Sequence, residues 1–223
     1  MILTHYDNQL TIPFKENEVV ELVIENPHVF SEFVGDMLKQ TQGQSGEIIL
    51  SEKEKPLNWK KDVQMVVDFI SLDLNGRTVI NALFKQMMIL GSEIDNKKQF
   101  FSAMGIEMID EIIQGMQYDN ITYNLDVGWG DIFKAFSVRV DDEYETLAEK
   151  VVMYLRLCSE LLHVKLVCFV NIKSYLTERD LIEVYKMAGY FKFFLLLIEP
   201  FERTNIPGEK HYIIDSDCCL IVK

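Results

Sequence analysis

Four oxygen-bearing side chains, Asp119, Asn120, Asp126 and Asp131, fall within one thirteen-residue stretch that Gly128 and Gly130 interrupt. Hard cations such as calcium take several carboxylate and carbonyl oxygens on a pliable backbone, and this stretch supplies both. The EF-hand pattern D-x-[DN]-x-[DN]-G is absent, and helix caps or turn acids account for the same residue types. The run Asp141, Asp142, Glu143 and Glu145 suits the start of a helix, where negative charge meets the positive end of the macrodipole. His5, His28, His163 and His211 are scattered without H-x-x-x-H or H-E-x-x-H spacing and read as surface or core side chains. Cys158, Cys168, Cys218 and Cys219 show no C-x-x-C spacing. Cys218 and Cys219 fall in an apolar run, where a free thiol behaves as a small hydrophobe. With no G-x-S-x-G nucleophile turn either, catalytic residues are not expected.

Phosphate chemistry finds no support. G-x-x-x-x-G-K-[ST] is missing: Gly43 and Gly46 have the wrong spacing, and Gly208-Glu209-Lys210 lacks the first glycine. After the strand-like residues 19–25 (VVELVIE), the place of a phosphate loop is taken by Asn26-Pro27-His28-Val29-Phe30. That segment has no glycine to let backbone amides close on a phosphate. Gly128-Trp129-Gly130 is a near match to a dinucleotide fingerprint, but it follows no buried strand. Net charge is −13, from 22 Lys and Arg against 35 Asp and Glu. Such acidity argues against nucleic acid, whose binding draws on cations that replace phosphate counterions. The acid is concentrated upstream, however, for residues 151–223 carry nine groups of each sign. A local basic stripe can stand on an acidic body.

The elements that must position these residues follow from the hydrophobic patterning. At 223 residues and 48% hydrophobic, the chain builds one large or two small folded domains rather than a disordered segment. No apolar run approaches the roughly 18 residues of a membrane span. The N-terminus lacks a basic then apolar leader, so a cytoplasmic protein without membrane contact is expected. Residues 1–6 and 10–14 read as a hairpin. Residues 19–25 alternate apolar and acidic side chains, as a half-buried strand does. Asn26-Pro27 starts a helix whose face carries Val29, Phe33, Val34, Met37 and Leu38. From about residue 75 to 140 the pattern turns helical, with Val79, Leu83, Met87 and Leu90, then Phe100, Met104, Met108, Ile112 and Met116 at helical spacing. Such a Met-rich pair serves either as an ordinary helical core or as an adaptable face for another subunit. Beyond it, Thr146-x-x-Glu149 and Thr177-x-x-Asp180 mark helix starts, and Gly189 marks a helix end. Residues 165–170 and 193–198 read as buried strands of a βαβ unit, hence parallel. Residues 212–215 and 218–222 close the chain across an acidic turn. The expected fold is α/β, with a partly parallel sheet in residues 1–75 and 144–223 and an inserted helical leg in 76–143.

Residues 169–186 (FVNIKSYLTERDLIEVYK), 194–203 (FLLLIEPFER) and 211–221 (HYIIDSDCCLI), in order after 19–34 (VVELVIENPHVFSEFV), resemble the CRISPR-associated adaptation protein of type II-A systems. The resemblance covers most of the chain and is most specific in its C-terminal third. It implies a head related to P-loop ATPases without a working nucleotide site, in keeping with the missing phosphate motif, and an inserted helical leg. It further implies a calcium-stabilised homotetrameric ring around linear double-stranded DNA, bound without sequence preference. Its implied partners are the CRISPR integrase and RNA-guided nuclease, and no catalytic residues transfer. In a ring, Lys134, Arg139 and Lys150 are the first candidates for an inner wall, with Lys60 and Lys61 second. Asp119, Asn120, Asp126 and Asp131 are the candidate calcium ligands. A protein-interaction scaffold that never touches DNA and a degenerate nucleotide-binding enzyme are the competing readings.

Overall fold

A computed structural model describes residues 1–118 and 120–223, and its larger sheet is organised around the strand β3 (Val19–Ile24). All six residues of β3 are buried, Glu21 among them. This corrects the half-buried reading of the alternating VVELVIE pattern. The reason is its position: β3 lies between β8 (Phe194–Glu199) and β9 (Glu209–Ile214), parallel to both. A parallel sheet is covered on both faces, so alternation along a central strand does not mean that one side is wet. The sheet has six strands in the order β10-β9-β3-β8-β7-β6. β6 is Val63–Val66, β7 is Leu166–Val170, and β10 (Leu220–Val222) pairs antiparallel with β9. A four-stranded antiparallel sheet, β2-β1-β4-β5, is formed by β1 (Ile2–His5), β2 (Leu10–Pro13), β4 (Ile48–Glu52) and β5 (Lys55–Pro56).

One face of the larger sheet joins the smaller sheet and α1 (Pro27–Thr41) in a single core. Leu3, Leu10, Ile12, Ile48 and Leu50 meet Phe33 and Met37 of α1 and Val20, Leu22, Cys168, Leu196 and Ile198 of the sheet. The short α2 (Trp59–Asp62) adds Trp59, whose indole N–H donates to the Ile48 carbonyl at 3.1 Å. α6 (Leu147–Leu157) and α7 (Glu178–Phe191) pack on one another, and α7 packs against β8. Their buried faces present Val151, Leu155, Leu181, Val184 and Ala188. The start signals act as expected. Asn26 accepts from the His28 and Val29 amides, Thr146 accepts from Glu149, and Thr177 and Asp180 exchange a reciprocal capping box.

Two local expectations fail for physical reasons. α7 continues past Gly189 to Phe191, and the left-handed residue that ends it is Lys192, with φ 59°. Cys218 and Cys219 are exposed in the turn before β10 rather than in the strand. The Asp215 carboxylate accepts the Cys219 amide and closes that turn.

The described residues divide into two compact units, Met1–Leu74 with Asp142–Lys223, and Asn75–Asp141. The second holds α3 (Arg77–Gly91), α4 (Asp95–Gln114) and α5 (Trp129–Ala135). Its interior is small: Phe133 stacks on Trp129 and meets Phe84 edge-on. Gly91 is required there, since a Cβ at this position would lie 2.9 Å from the Trp129 ring. Asn75 and Val140 tie the two ends of the unit, the amide side chain bonding both the N–H and the C=O of Val140. No residue of α4 is buried. Among the described residues no helix is long and apolar enough to cross a membrane.

Lys192 tests the end of α7. A β-carbon in the left-handed region costs energy that glycine avoids. Lys192→Gly is expected to raise unfolding stability by about 0.5–1 kcal/mol in urea melts.

Candidate functional site

The oxygen-rich stretch lies in the helical unit, and Asp119 falls outside the described residues. Asn120 and Asp126 are exposed. Asp126 and Asn124 form a local turn: the Asp126 amide donates to Asn124 Oδ1, and Asn124 Nδ2 donates to the Asp126 carbonyl, both at 3.0 Å. Asp131 is the third residue of α5, and its Oδ2 accepts the Gly128 amide at 3.2 Å. Lys134 Nζ stands 3.9 Å from the other oxygen of Asp131. Asp131 therefore caps a helix, which leaves it less available than its sequence neighbourhood implies. Of the candidate wall cations, Lys134 and Arg139 are exposed in the helical unit. Lys60, Lys61 and Lys150 belong to the α/β unit, the first two on the exposed side of α2 and Lys150 half-buried on α6.

A second constellation escapes the sequence entirely. In the parallel ladder Glu21 is opposite His211 of β9, and Glu209, two residues earlier on β9, shares that face. The turn after β7 (Ile172–Ser174) starts from Asn171 in the left-handed conformation and brings Lys173 in beside them. Lys173 Nζ lies 2.9 Å from Glu21 Oε1 and 2.8 Å from Glu209 Oε1. His211 bridges the same two carboxylates from its other side, with Nδ1 2.8 Å from Glu21 and Nε2 3.5 Å from Glu209. The result is a closed ring of two acids and two bases, with all four side chains at most 4% exposed. Tyr185 of α7 donates its hydroxyl to Glu209 at 2.5 Å. Glu199, the last residue of β8, accepts the Lys173 amide on Oε1 at 3.0 Å.

Burial dominates the electrostatics. Desolvation raises the Glu21 carboxyl against the opposing pull of Lys173. It pushes Glu199 up to about 7, helped by the neighbouring Glu21 charge and opposed by the Lys173 amide and Arg203. Burial also lowers the His211 imidazole, against the attraction of Glu209. The Tyr185 hydroxyl is pushed far above its usual range by burial and the adjacent Glu209 charge, so it remains a donor. Glu21, Glu209 and His211 have ligand atoms within 4.8 Å of one another, and among the described residues they alone form such a group. Two carboxylates and an imidazole suit a transition metal rather than calcium. The cation's place between the carboxylates is nevertheless taken by the Lys173 ammonium, so the arrangement is an internal ion ring. The remaining histidines play no part: His28 and His163 are exposed, and His5 packs edge-on against Phe33.

An α/β unit without a phosphate loop, sealed by buried ion pairs and interrupted by a helical unit, defines a structural class rather than a chemistry. The family follows from comparison with known proteins. The sequence profile described as CRISPR-associated protein (Cas_Csn2) matches residues 40–218, and the chain belongs to that family. A protein named CRISPR-associated protein Csn2 from Streptococcus agalactiae is 22% identical over 205 residues, covering 90% of this chain and 89% of the relative. Another of that name from Enterococcus faecalis is 20% identical over 210 residues and covers 92% of each. In fold, the chain is similar over its whole length to the crystal structure of Stu0660 of Streptococcus thermophilus. The TM-score is 0.62, with 12% identity and 76% of that chain covered.

The ion ring gives a stability prediction. Removing one partner of a buried pair leaves an uncompensated charge and costs about 3–5 kcal/mol. Lys173→Met is expected to lower unfolding stability by that amount at neutral pH. The double variant Glu21→Gln, Lys173→Met should recover part of the loss in the same denaturant titration, because fewer charges are then stranded.

Proposed function

We propose that the chain is a non-catalytic, sequence-independent double-stranded DNA-binding protein of CRISPR spacer acquisition, working as a calcium-stabilised homotetrameric ring that threads linear DNA ends. The observation that carries this reading is α4. Its Phe100, Phe101, Met104, Met108, Ile109 and Ile112 are all exposed, with Phe100 at 72%. An apolar face of this size on a soluble domain belongs against other protein, and closed symmetry is the economical way to cover it. Membership of a CRISPR-associated family supports the biological setting, with the integrase and the RNA-guided nuclease as working partners.

A ring also answers the charge objection. Lys134, Arg139 and Lys150, with Lys60 and Lys61 in support, would face the duplex. Three cations in each of four copies would offer about twelve charges to the phosphates. Asp119, Asn120, Asp126 and Asp131 would supply calcium ligands, turning repulsion between acids into cross-links. A protein-docking scaffold would use the same α4 face without touching DNA, and the binding assay separates the two.

In a mobility-shift assay, linear duplex is expected to bind with little sequence preference and a steep loss of affinity with salt. Covalently closed circles of equal length should be released. Equal affinity for both topologies would exclude threading, and no shift with either would leave the scaffold reading. Light scattering with calcium present should give a tetramer, and a stable monomer at micromolar concentration would contradict the ring. Calorimetry on the Asp126→Ala, Asp131→Ala double variant should show diminished calcium binding. Undiminished binding would place the ligands elsewhere, with Asp141, Asp142, Glu143 and Glu145 next to be tested.

A further inference from the structure

Residues 200–208 join β8 to β9 without forming helix or strand. They are tied down from below by the buried ring and its surroundings. Lys173 Nζ donates to the Thr204 carbonyl at 3.3 Å, and Glu209 Oε2 accepts the Ile206 amide at 2.8 Å. Arg203 Nη2 donates to Ser174 Oγ at 2.6 Å, and its guanidinium stacks over Phe201, which is half exposed. Ile206 is 2% exposed and anchors the segment in the interior. Glu199 stands at the root. Its Oε2 and Arg203 Nε are both buried, neither has a hydrogen-bond partner, and they face each other at 3.9 Å.

The charges here do not close. Three buried carboxylates, Glu21, Glu199 and Glu209, stand against Lys173, Arg203 and an imidazole. With every acid ionised and the imidazole neutral, one negative charge is in excess. An enclosed excess charge is costly, and the system avoids it either by holding a proton or by admitting water. We propose that residues 200–208 are a proton-controlled strap: closed, they shut one proton into the cluster on Glu199, and they open more often as pH rises.

The groups that face Glu199 come from every neighbouring element. They are Glu21 of β3, Lys173 after β7, Tyr185 of α7 and Arg203 in the strap itself, with Glu209 and His211 of β9 one step removed through Lys173 and Glu21. Lys223 pairs with Glu202 at 2.7 Å. Opening rehydrates Glu199, so its carboxyl falls from about 7 toward its ordinary value of 4.5. The closed state thus binds the proton more tightly, and its advantage is complete below the ordinary value and lost as pH rises through about 7. His211 works in the opposite sense. Burial lowers it, so the closed state loses stability as pH falls below the ordinary imidazole value of 6.5. Above that value the Glu199 contribution remains, and it sets the direction.

Amide exchange by NMR on the full-length protein tests the strap. Ile206 is the reporter, with Lys173 second, and protection factors are corrected for the intrinsic pH dependence of exchange. Between pH 6.5 and 8 the opening of the wild-type strap is expected to rise by about threefold. Glu199→Gln, which keeps an acceptor for the Lys173 amide, should flatten that rise. His211→Asn should leave it in place. A wild-type strap whose protection does not change over this range overturns the proposal. So does a rise that survives in Glu199→Gln or vanishes in His211→Asn.

Discussion

A carboxylate in the middle of a sheet buried on both faces must find a cation or give up its charge. Glu21 imposes that constraint on the α/β unit. It lies at the centre of β3, the strand paired on both edges with parallel neighbours. Its partner comes from a turn that needs an uncommon backbone: Asn171 takes φ 59° so that Lys173 can turn in beside the sheet. Asparagine tolerates that conformation better than most side chains. The same ammonium holds Glu209, whose second oxygen holds the Ile206 amide. One buried charge thus couples two parallel strands, a turn and the connection between β8 and β9. A buried ion ring contributes less net stability than apolar packing of equal volume, but it penalises any register in which its members fail to meet.

The helical unit obeys the opposite logic. Its interior depends on a few aromatic contacts, Phe84 with Phe133 and Phe133 with Trp129, and on the missing side chain of Gly91. The rest of its apolar surface points outward along α4. One unit is self-contained and over-determined by buried charge, while the other is under-packed by itself.

Local chemistry was legible in the sequence. Asn26, Thr146 and Thr177 each cap a helix as their types and spacing require. The apolar runs ending at residues 170 and 198 are parallel strands, because the helix between them leaves no other short connection. Non-local chemistry was not legible. Glu21 and His211 are 190 positions apart, and only the strand register puts them opposite one another. A lone acid in VVELVI looks like an outward-facing residue until both neighbours of that strand are known. Gly189 misleads for a different reason: it satisfies helix-end statistics, yet the chain continues to Lys192 before turning. Asp131 caps α5 with one carboxylate oxygen, a role set within its own turn. Where a residue's role is set by atoms within a turn, the sequence suffices. Where it is set by a strand made much later in the chain, the sequence does not.

That long interval has a consequence during protein synthesis. β3 emerges early from the ribosome, but its two edges are filled by β8 and β9, and Val19 must wait for Glu209. At elongation rates of about 5–20 residues per second the delay is on the order of ten to forty seconds. Throughout it the nascent chain displays a strand of branched aliphatic residues with both backbone edges unpaired, the kind of segment that aggregates. Glu21 interrupts that strand with a charge, as gatekeeper residues do elsewhere. The side chain that is costly in the finished sheet is an asset to the unfinished one.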